Sequence, residues 1–294
     1  MKLLFVACLH QPEDFEKWLI PHLKKRCEVY PFDYRVTAGR GLLDAVNLLN
    51  VDKAFFAKGE TVPSDTILRL NEIGVSTSCW TIDDHAHPEL FRKPFTTIFT
   101  PSPRLIESYR KEYRNVWELP FYVEPSVFDS VSGCGRFDCS VSFLGTVYPG
   151  REEKIGKLRS AGVRVDVFGD QWTIPNRGRV QDYADVLRVF KGTAVNVNIH
   201  QDSMREVGAL NTKMYEIPAA GGFMVADYFP EIFEKFRFDE VAVYRCDDGS
   251  NLVDVVKQYL DAKAEREEVT RRARERIFRE HTAEKRANFI LDKI

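Results

Sequence analysis

Short apolar segments alternate with helical patterns along the chain, and this rhythm constrains the fold more than any other feature. Buried parallel strands joined by crossover helices produce such a pattern. The rhythm occurs twice, separated at 120–136 by a stretch of Pro, Ser and Gly that predicts a linker. The sequence therefore predicts an α/β protein with domains at 1–130 and 131–280, and a C-terminal helix at 281–294 that packs back on the first domain.

The predicted elements place ligand loops at one edge of each sheet. Predicted strands cover 2–8, 27–32, 53–57, 75–80, 96–100 and 116–119, then 139–144, 164–168, 194–199, 223–226 and 241–244. Predicted helices cover 13–25, 39–49, 64–73, 102–113, 151–161, 180–190, 211–220 and 252–262, with a charged helix from about 264. Two Rossmann-like parallel-sheet domains with loops at their carboxyl edges are expected to face a central cleft.

Composition excludes several classes of protein. The 294 residues are 44% apolar, which is ample for two cores, and no apolar run is long enough to span a membrane. The formal net charge of −2 does not require nonspecific nucleic-acid binding. The six cysteines are scattered without zinc or disulfide-framework spacing. We therefore expect a cytoplasmic protein with reduced thiols and no membrane span.

The segment NTKMYEIPAAGGF at 211–223 concentrates polar chemistry in one helix and its exit. Lys213 and Glu216 project from one helical face, where an ammonium can meet a diphosphate and a carboxylate can accept ribose hydroxyls. Gly221 and Gly222 permit a left-handed exit and a close backbone approach. The alternative interpretation is a surface ion pair on a helix that the glycines merely cap.

Two further loops with candidate ligand contacts follow predicted strands of the second domain. Amides of Gly145 and Thr146, with Arg151 at a helix start, form an anion-binding arrangement. Gly169 ends the next strand, and Trp172 just beyond it either stacks on a nucleobase or packs on the sheet.

The strand at 194–199 carries its polar residues on alternate positions. Asn198 and His200 either point into the cleft or occupy the less buried face of the sheet.

The segments FLGTVYPGREEKI, VDVFGDQW, 183–197 and NTKMYEIPAAGGFMVADYFPEI follow one another in an order that resembles a known family. They resemble the carboxyl-terminal domain of the CgeB-like branch of group 1 glycosyltransferases, over roughly residues 137–290. The resemblance implies a GT-B fold and a nucleotide-diphosphate-sugar donor, with UDP-sugars favoured, held mainly by the second domain. It also implies that no metal or other cofactor is required.

The resemblance also implies roles for individual residues. It places Glu216 on the donor ribose, Lys213 and Arg151 on the phosphates, and the Gly145 and Thr146 amides beside them. It also places Gly221 and Gly222 close to the donor. Gly169, His200, Asn211 and Thr212 are further candidates for the donor site. The superfamily often has a second glutamate eight positions before the ribose-binding one, but this chain has Gly208 there and Glu206 out of register.

In the first domain, WTIDDHAHP at 80–88 follows a predicted strand and is dense in titratable groups. Asp83, Asp84 or His85 is a candidate catalytic base for an acceptor hydroxyl, and His10 is a second candidate at the end of the first strand. The alternative is a capped turn in which these groups are structural or solvated. A metal site built from this segment is not expected, because Lys and Arg stabilise the leaving diphosphate in the resembled fold.

The sequence therefore predicts a cytoplasmic glycosyltransferase that moves a sugar from a nucleotide-sugar to an acceptor hydroxyl. Retention of anomeric configuration is expected from the resemblance. The acceptor is a glycan, a small molecule or a hydroxylated DNA base, and clusters at Lys24-Lys25-Arg26 and Arg110-Lys111 would serve the last. Two alternatives are a noncatalytic sugar-nucleotide-binding protein and a nucleotide-sugar epimerase of the same architecture.

Overall fold

A computed structural model of the chain describes residues 1–10, 15–37, 41–131, 139–245 and 249–294. The chain forms two compact units. Unit 1 comprises Met1–Phe121, Glu206–Ala209 and Ala283–Ile294, and unit 2 comprises Tyr122–Arg205 and Leu210–Thr282.

Unit 1 is built on a parallel sheet. Its strands are β1 (Lys2–Ala7), β2 (Glu28–Asp33), β3 (Lys53–Ala57), β4 (Ser76–Trp80), β5 (Thr97–Thr100) and β6 (Asn115–Glu118), in the order β2-β1-β3-β4-β5-β6. The central strands are almost entirely buried, because helices cover both faces of a parallel sheet. The strand order reverses between β1 and β3, so the crossovers leave toward opposite faces and open a crevice at the carboxyl edge.

Unit 1 contains short helices and one helix contributed from the end of the chain. They are α1 (Leu19–Leu23), α2 (Tyr34–Thr37), α3 (Leu42–Leu49), α4 (Ser64–Glu72), α5 (Ile106–Arg110) and α14 (Ala283–Lys293), with 3₁₀ turns at Phe15–Trp18, Pro88–Phe91 and Pro103–Leu105.

Helix α14 completes the outer layer of unit 1 against α1. Its Glu284 pairs with Lys25 at 2.9 Å, and its Arg286 donates to the backbone carbonyls of Pro120 and Phe121. Phe289 places its ring against Phe99 and Trp117.

Unit 2 repeats the arrangement with a smaller sheet. Its strands are β7 (Cys139–Leu144), β8 (Val165–Phe168), β9 (Thr193–Asn198), β10 (Met224–Asp227) and β11 (Ala242–Tyr244), in the order β11-β10-β9-β7-β8 and all parallel. Its helices are α6 (Pro125–Asp129), α7 (Arg151–Ser160), α8 (Tyr183–Gly192), α9 (Asp202–Val207, whose last two residues belong to unit 1), α10 (Lys213–Ala219), α11 (Ile232–Lys235), α12 (Leu252–Asp261) and α13 (Lys263–Glu280).

The expected α/β class with two Rossmann-like parallel sheets is confirmed. Every predicted strand is present, with ends that differ by at most one residue. The helix predicted at 102–113 is instead a 3₁₀ turn followed by the short α5, and the sequence did not predict α2, α6, α9 and α11. Parts of the helices predicted at 13–25 and 39–49, and residues 132–136 of the predicted linker, lie outside the described residues.

In the described part of the chain, no helix is both long enough and apolar enough to cross a membrane. Cys8, Cys27, Cys79 and Cys139 form no disulfide within the described residues, and Cys134 and Cys246 lie outside them.

Gly222 is required by a close backbone contact between α8 and the start of β10. A Cβ atom built on it would lie 2.4 Å from the Phe190 carbonyl oxygen and 2.9 Å from Asn196 Nδ2. Both neighbours are fixed, since Asn196 Nδ2 itself donates to the carbonyls of Phe190 and Phe223.

We expect Gly222→Ala to destabilise the protein by about 1–3 kcal/mol, because a methyl group does not fit this contact. Gly156 is the matched control: it lies inside α7, and a Cβ there would meet nothing within 4 Å. Gly156→Ala should stabilise by about 0.5–1 kcal/mol through helix propensity and a less flexible unfolded chain. Urea unfolding of both variants is the measurement, and destabilisation of equal size in both would contradict the packing argument.

Candidate functional site

The carboxyl edge of the unit 2 sheet brings together the loops that follow its strands. β7 and β9 are neighbours, although β8 lies between them in sequence, so the strand order reverses at this point. In open parallel sheets, ligands bind in the crevice that such a reversal opens at the carboxyl edge. The predicted donor-site residues from Gly145 to Glu216 lie in loops or helix starts at this edge.

Arg151 forms hydrogen bonds to both loops at the strand-order reversal, the one after β7 and the one after β9. Its Nε and Nη2 donate to the Ile199 carbonyl at 3.1 and 2.6 Å, and its Nη1 donates to the Thr146 carbonyl at 2.7 Å. The guanidinium lies over the rings of Phe143 and Tyr148, and burial lowers its pKa to about 10. Contrary to expectation, Arg151 therefore uses these donors on backbone carbonyls.

Gly145 and Gly169 hold the loops after β7 and β8 in close contact. The Gly145 amide donates to the Phe168 carbonyl, so it is committed within the fold and does not face an anion as expected. A Cβ on Gly169 would lie 2.1 Å from the Gly145 carbonyl oxygen. Trp172 is buried, and its Nε1 donates to that same oxygen at 2.9 Å, which favours the packing role over stacking on a nucleobase.

Glu216 is a nearly buried carboxylate in the first turn of α10. One oxygen accepts from Tyr183 Oη at 2.9 Å and the other from Lys213 Nζ at 2.7 Å. Burial, followed by the Glu216 charge, raises the pKa of Tyr183 well above its usual range, so the phenol remains a neutral donor. Lys213 is partly exposed over the Phe190 ring. The Lys213–Glu216 pair thus lies at the carboxyl edge with Tyr183, which sequence reasoning did not single out.

Asn211 and Thr212 form the entry to α10. The amides of Asn211 and Asn198 exchange hydrogen bonds at 2.9 and 3.1 Å, which joins the end of β9 to the start of the helix. Asn211 Oδ1 also accepts from the Met214 amide. The Thr212 side chain makes no capping hydrogen bond, although its carbonyl begins the helix ladder.

His200 belongs to a buried polar group that the sequence did not reveal. Its Nδ1 lies 2.6 Å from Asp227 Oδ1, and its backbone amide donates to both carboxylate oxygens. Arg205 Nη1 donates to the second oxygen at 3.1 Å. Burial alone would raise the pKa of Asp227, but His200 and Arg205 outweigh it and lower this pKa, so the carboxylate is ionised.

Gly221 and Gly222 lie at the opposite, amino edge of the same sheet, because they precede β10. Gly221 has φ of 85° at the helix exit and lines a cavity of about 450 Å³ beneath α13. Cations of this cavity bind helix-end carbonyls: Arg266 those of Tyr259 and Leu260, and Arg274 that of Ala219. This position favours the capping and packing interpretation for both glycines over contact with a ligand at the carboxyl edge.

Gly208 and Glu206, the residues compared with the superfamily's second glutamate, add no ligand-binding carboxylate to the described part of this edge. Gly208 has φ of 72°, and Glu206 is exposed with its carbonyl accepting from Arg104.

Asp84 in unit 1 is a buried carboxylate that accepts several hydrogen bonds within the fold. It has no solvent exposure, and burial raises its pKa despite its hydrogen bonds. Its carboxylate accepts hydrogen bonds from the hydroxyls of Thr81, Thr100, Ser102 and Tyr109. These bonds join the loops after β4 and β5, so Asp84 fits the structural alternative better than the role of catalytic base.

Asp83 and His85 flank Asp84 but are accessible. The Asp83 carboxylate is about half exposed and pairs with Lys58 Nζ at 2.7 Å. Lys58 is a non-glycine residue with φ of 74°, a strained conformation of the kind found at functional sites. His85 is half-buried.

His10 follows β1 at the carboxyl edge of the first sheet. Its Nδ1 lies 3.1 Å from Asp33 Oδ2, and the imidazole is 39% exposed. Burial would raise the pKa of Asp33, but amides of Leu9, Val36 and Arg35 together with His10 lower it. An ionised carboxylate on Nδ1 with an accessible ring is the arrangement of a general base. Within the described residues, no group of three His, Cys, Asp or Glu side chains could hold a metal ion.

We expect Asp84→Ala to destabilise the protein by about 3 kcal/mol, because it leaves buried hydroxyls without their acceptor. Glu89→Ala is the control, since Glu89 is an exposed carboxylate whose only described partner is the exposed His87; it should change stability by about 0.5 kcal/mol or less. Chemical denaturation measures both. A fully stable Asp84→Ala protein would contradict the structural role.

Comparisons with known proteins agree with this architecture. The model of the glycosyl transferase-like family matches residues 151–292, just under half of the chain. No curated protein matches the sequence. Anabaena Alr3699/HepE, solved in complex with UDP-glucose, has a TM-score of 0.70 at 12% identity, over 100% of this chain and 100% of that chain.

Two other solved structures have a similar fold. A UDP-forming α,α-trehalose-phosphate synthase from Burkholderia xenovorans has a TM-score of 0.68 at 12% identity, over 99% of this chain and 98% of that one. A Listeria monocytogenes protein with a provisional UDP-N-acetylglucosamine 2-epimerase assignment has a TM-score of 0.61 at 12% identity, over 99% and 94% of the two chains. At these identities the similarity shows the fold alone, which is GT-B.

Proposed function

We propose that the protein is a glycosyltransferase that moves a sugar from a nucleotide-diphosphate-sugar to an acceptor hydroxyl. The observation that carries the proposal is Glu216, a nearly buried carboxylate held by Tyr183 and Lys213 at the carboxyl edge of the unit 2 sheet. A carboxylate fixed in this way can accept ribose hydroxyls, and the ammonium beside it can meet phosphate oxygens. The partial match to the glycosyl transferase-like family covers this segment.

Fewer residues contact the donor in the proposed site than the sequence predicts. Glu216 would bind the ribose, Lys213 the diphosphate, and His200 and the Thr146 loop would lie beside them. Arg151, Gly145, Gly169 and Asn211 would support the site through contacts within the fold. A UDP-sugar is the favoured donor, since UDP or UDP-glucose is bound in structures of Alr3699/HepE.

The acceptor side is assigned to the carboxyl edge of unit 1. His10, oriented by Asp33, is the favoured base for the acceptor hydroxyl, and Asp83 and His85 are the other candidates. Transfer with retention and without a metal ion is part of the proposal, with Lys213 stabilising the departing diphosphate. A cytoplasmic location is included as well, supported by the described cysteines, which form no disulfide.

A glycan or small molecule is favoured over DNA as the acceptor. Within the basic cluster at 24–26, Lys25 pairs with Glu284 and Arg26 with Asp292, and Arg110 pairs with Glu107. These acids reduce the positive charge available to phosphates. DNA modification would require retention on DNA that weakens steeply with salt.

We expect a UDP-sugar or UDP to raise the thermal stability of the wild-type protein and to have a much smaller effect on Glu216→Gln. A ligand at one hundred times its dissociation constant adds about 2.7 kcal/mol of stability. Thermal shift with UDP, ADP, GDP and dTDP, and with their sugars, is the measurement.

Glu240→Gln is the matched control for that experiment. Glu240 is also buried in unit 2, where it bonds the Arg237 amide and Arg276, but it precedes β11 at the amino edge. Its variant should respond to ligand like the wild type. If no nucleotide stabilises the wild-type protein, the donor-site assignment is wrong.

Mass spectrometry of the products separates transfer from the two alternatives. Transfer to an acceptor releases the nucleoside diphosphate and adds a sugar mass to the acceptor. An epimerase, the alternative that the Listeria neighbour favours, interconverts sugar nucleotides without a change in mass. A noncatalytic binding protein does neither.

For the transferase we expect His10→Gln to lower kcat about 10²–10⁴-fold while donor affinity stays unchanged, because the base acts on the acceptor. His87→Gln is the control, since His87 is an exposed histidine of the same unit that pairs with Glu89. Steady-state kinetics with a fixed donor measures both. Full activity of His10→Gln would move the assignment to Asp83 or His85.

A further inference from the structure

In the buried group formed by His200, Asp227 and Arg205, the imidazole atom Nε2 of His200 makes no hydrogen bond to the described residues. Among the described residues, no partner lies within hydrogen-bond distance of His200 Nε2, although the atom is buried. Buried nitrogen atoms are nearly always hydrogen-bonded in native proteins, so an exception needs an explanation. The other ring nitrogen lies 2.6 Å from Asp227 Oδ1.

Asp227 determines the state of the imidazole. The carboxylate accepts from the His200 backbone amide, from Nδ1 and from Arg205, and both side chains of the His200–Asp227 pair have no solvent exposure. Because an ionised carboxylate only accepts, Nδ1 must carry a proton. Nε2 is therefore a bare acceptor in the neutral ring and a donor in the doubly protonated ring.

The position of the pair is that of a ligand contact. His200 follows β9 and Asp227 ends β10, so both lie at the carboxyl edge of the sheet. The residue before His200, Ile199, has its carbonyl held by Arg151, whose other acceptor is Thr146 in the loop after β7. The imidazole is thus fixed next to the crevice at the strand-order reversal, where ligands of such sheets bind.

The charged groups near the imidazole are two carboxylates and two guanidiniums. Asp227 on β10 and Asp202 and Arg205 on α9 pair with one another or with His200. Within the described residues, the hydrogen bonds of Arg151 on α7 go to carbonyls, and the Asp227 carboxylate acts on its charge without a direct bond. With Asp227 as counterion, a protonated ring would offer an N–H to phosphate oxygen, the strongest class of hydrogen bond for this site.

We propose that His200 donates from Nε2 to the diphosphate of the bound nucleotide, and that Asp227 and Arg205 are the positioning residues that hold it in place. This inference rests on the proposed function and extends it to a specific atom. The Phe229 ring packs edge-on against the imidazole with centroids 4.9 Å apart. Because Nε2 has no solvent exposure, diphosphate binding requires a neighbouring side chain to move.

The experiment is titration of the full-length protein, labelled with ¹⁵N-histidine, with UDP. Before ligand is added, the His200 signals should show a protonated Nδ1 and a bare Nε2. Saturation with UDP should protonate Nε2, whereas uridine, which has no phosphate, should leave it bare. An Nε2 signal that UDP at saturation does not change would overturn the proposal.

Affinity measurements on variants separate ligand contact from a structural role. His200→Gln can place an amide N–H near the position of Nε2 and should retain most of the UDP affinity. His200→Asn keeps only the Asp227 contact and should bind UDP about tenfold more weakly, the loss of one hydrogen bond to a charged group. Uridine affinity should be equal in both. Asp227→Asn should weaken UDP binding and increase the Nε2-protonated tautomer before ligand is added.

His281→Gln is the matched control, since His281 is a buried histidine of unit 2 packed against the rings of Tyr215 and Phe236. It should leave UDP affinity unchanged. Wild-type UDP affinity in His200→Asn would overturn the inference while the proposed function stands. Weakened binding of UDP-glucose with unchanged binding of UDP would also overturn it, because the contact would then be to the sugar. If none of UDP, ADP, GDP and dTDP binds, the proposed function and this inference fail together.

Discussion

The contact between Arg151 and two backbone carbonyls is the interaction on which the candidate site depends. A parallel sheet brings the ends of its strands to one edge, but it does not determine the shape of the loops that follow. Here one buried guanidinium bonds the carbonyls of Thr146 and Ile199, and so fixes the loops after β7 and β9 relative to each other. A lysine could not replace it, because a single ammonium lacks the forked donor geometry.

The fold could be read from the sequence because it depends on local and repeating signals. Each apolar run became a strand, since burial on both faces of a parallel sheet demands continuous apolar residues. The ends of short helices were less predictable. The segment at 102–113 contains Pro103, and its chain turns through a 3₁₀ helix before α5 begins.

The site was only partly predictable, because its residue types were visible but their partners were not. Lys213 and Glu216 lie three residues apart, so their pairing follows from helix geometry. The contact between His200 and Asp227 joins residues that are 27 positions apart, and nothing in the local sequence indicates it. Asp84 and Asp83 are adjacent, yet one is a buried acceptor for several hydroxyls and the other is exposed. Burial, which separates their roles, is a property of the fold.

The packing of α14 on α1 has a consequence for the order of assembly. Unit 1 begins with the first strand, but its outer layer includes Arg286 and Phe289, which are synthesised after every residue of unit 2. During synthesis unit 2 can therefore complete its own core first. Until α14 arrives, unit 1 exposes the surface around Phe99 and Trp117 that this helix covers. A helix that follows unit 2 in the chain thus completes the outer layer of unit 1.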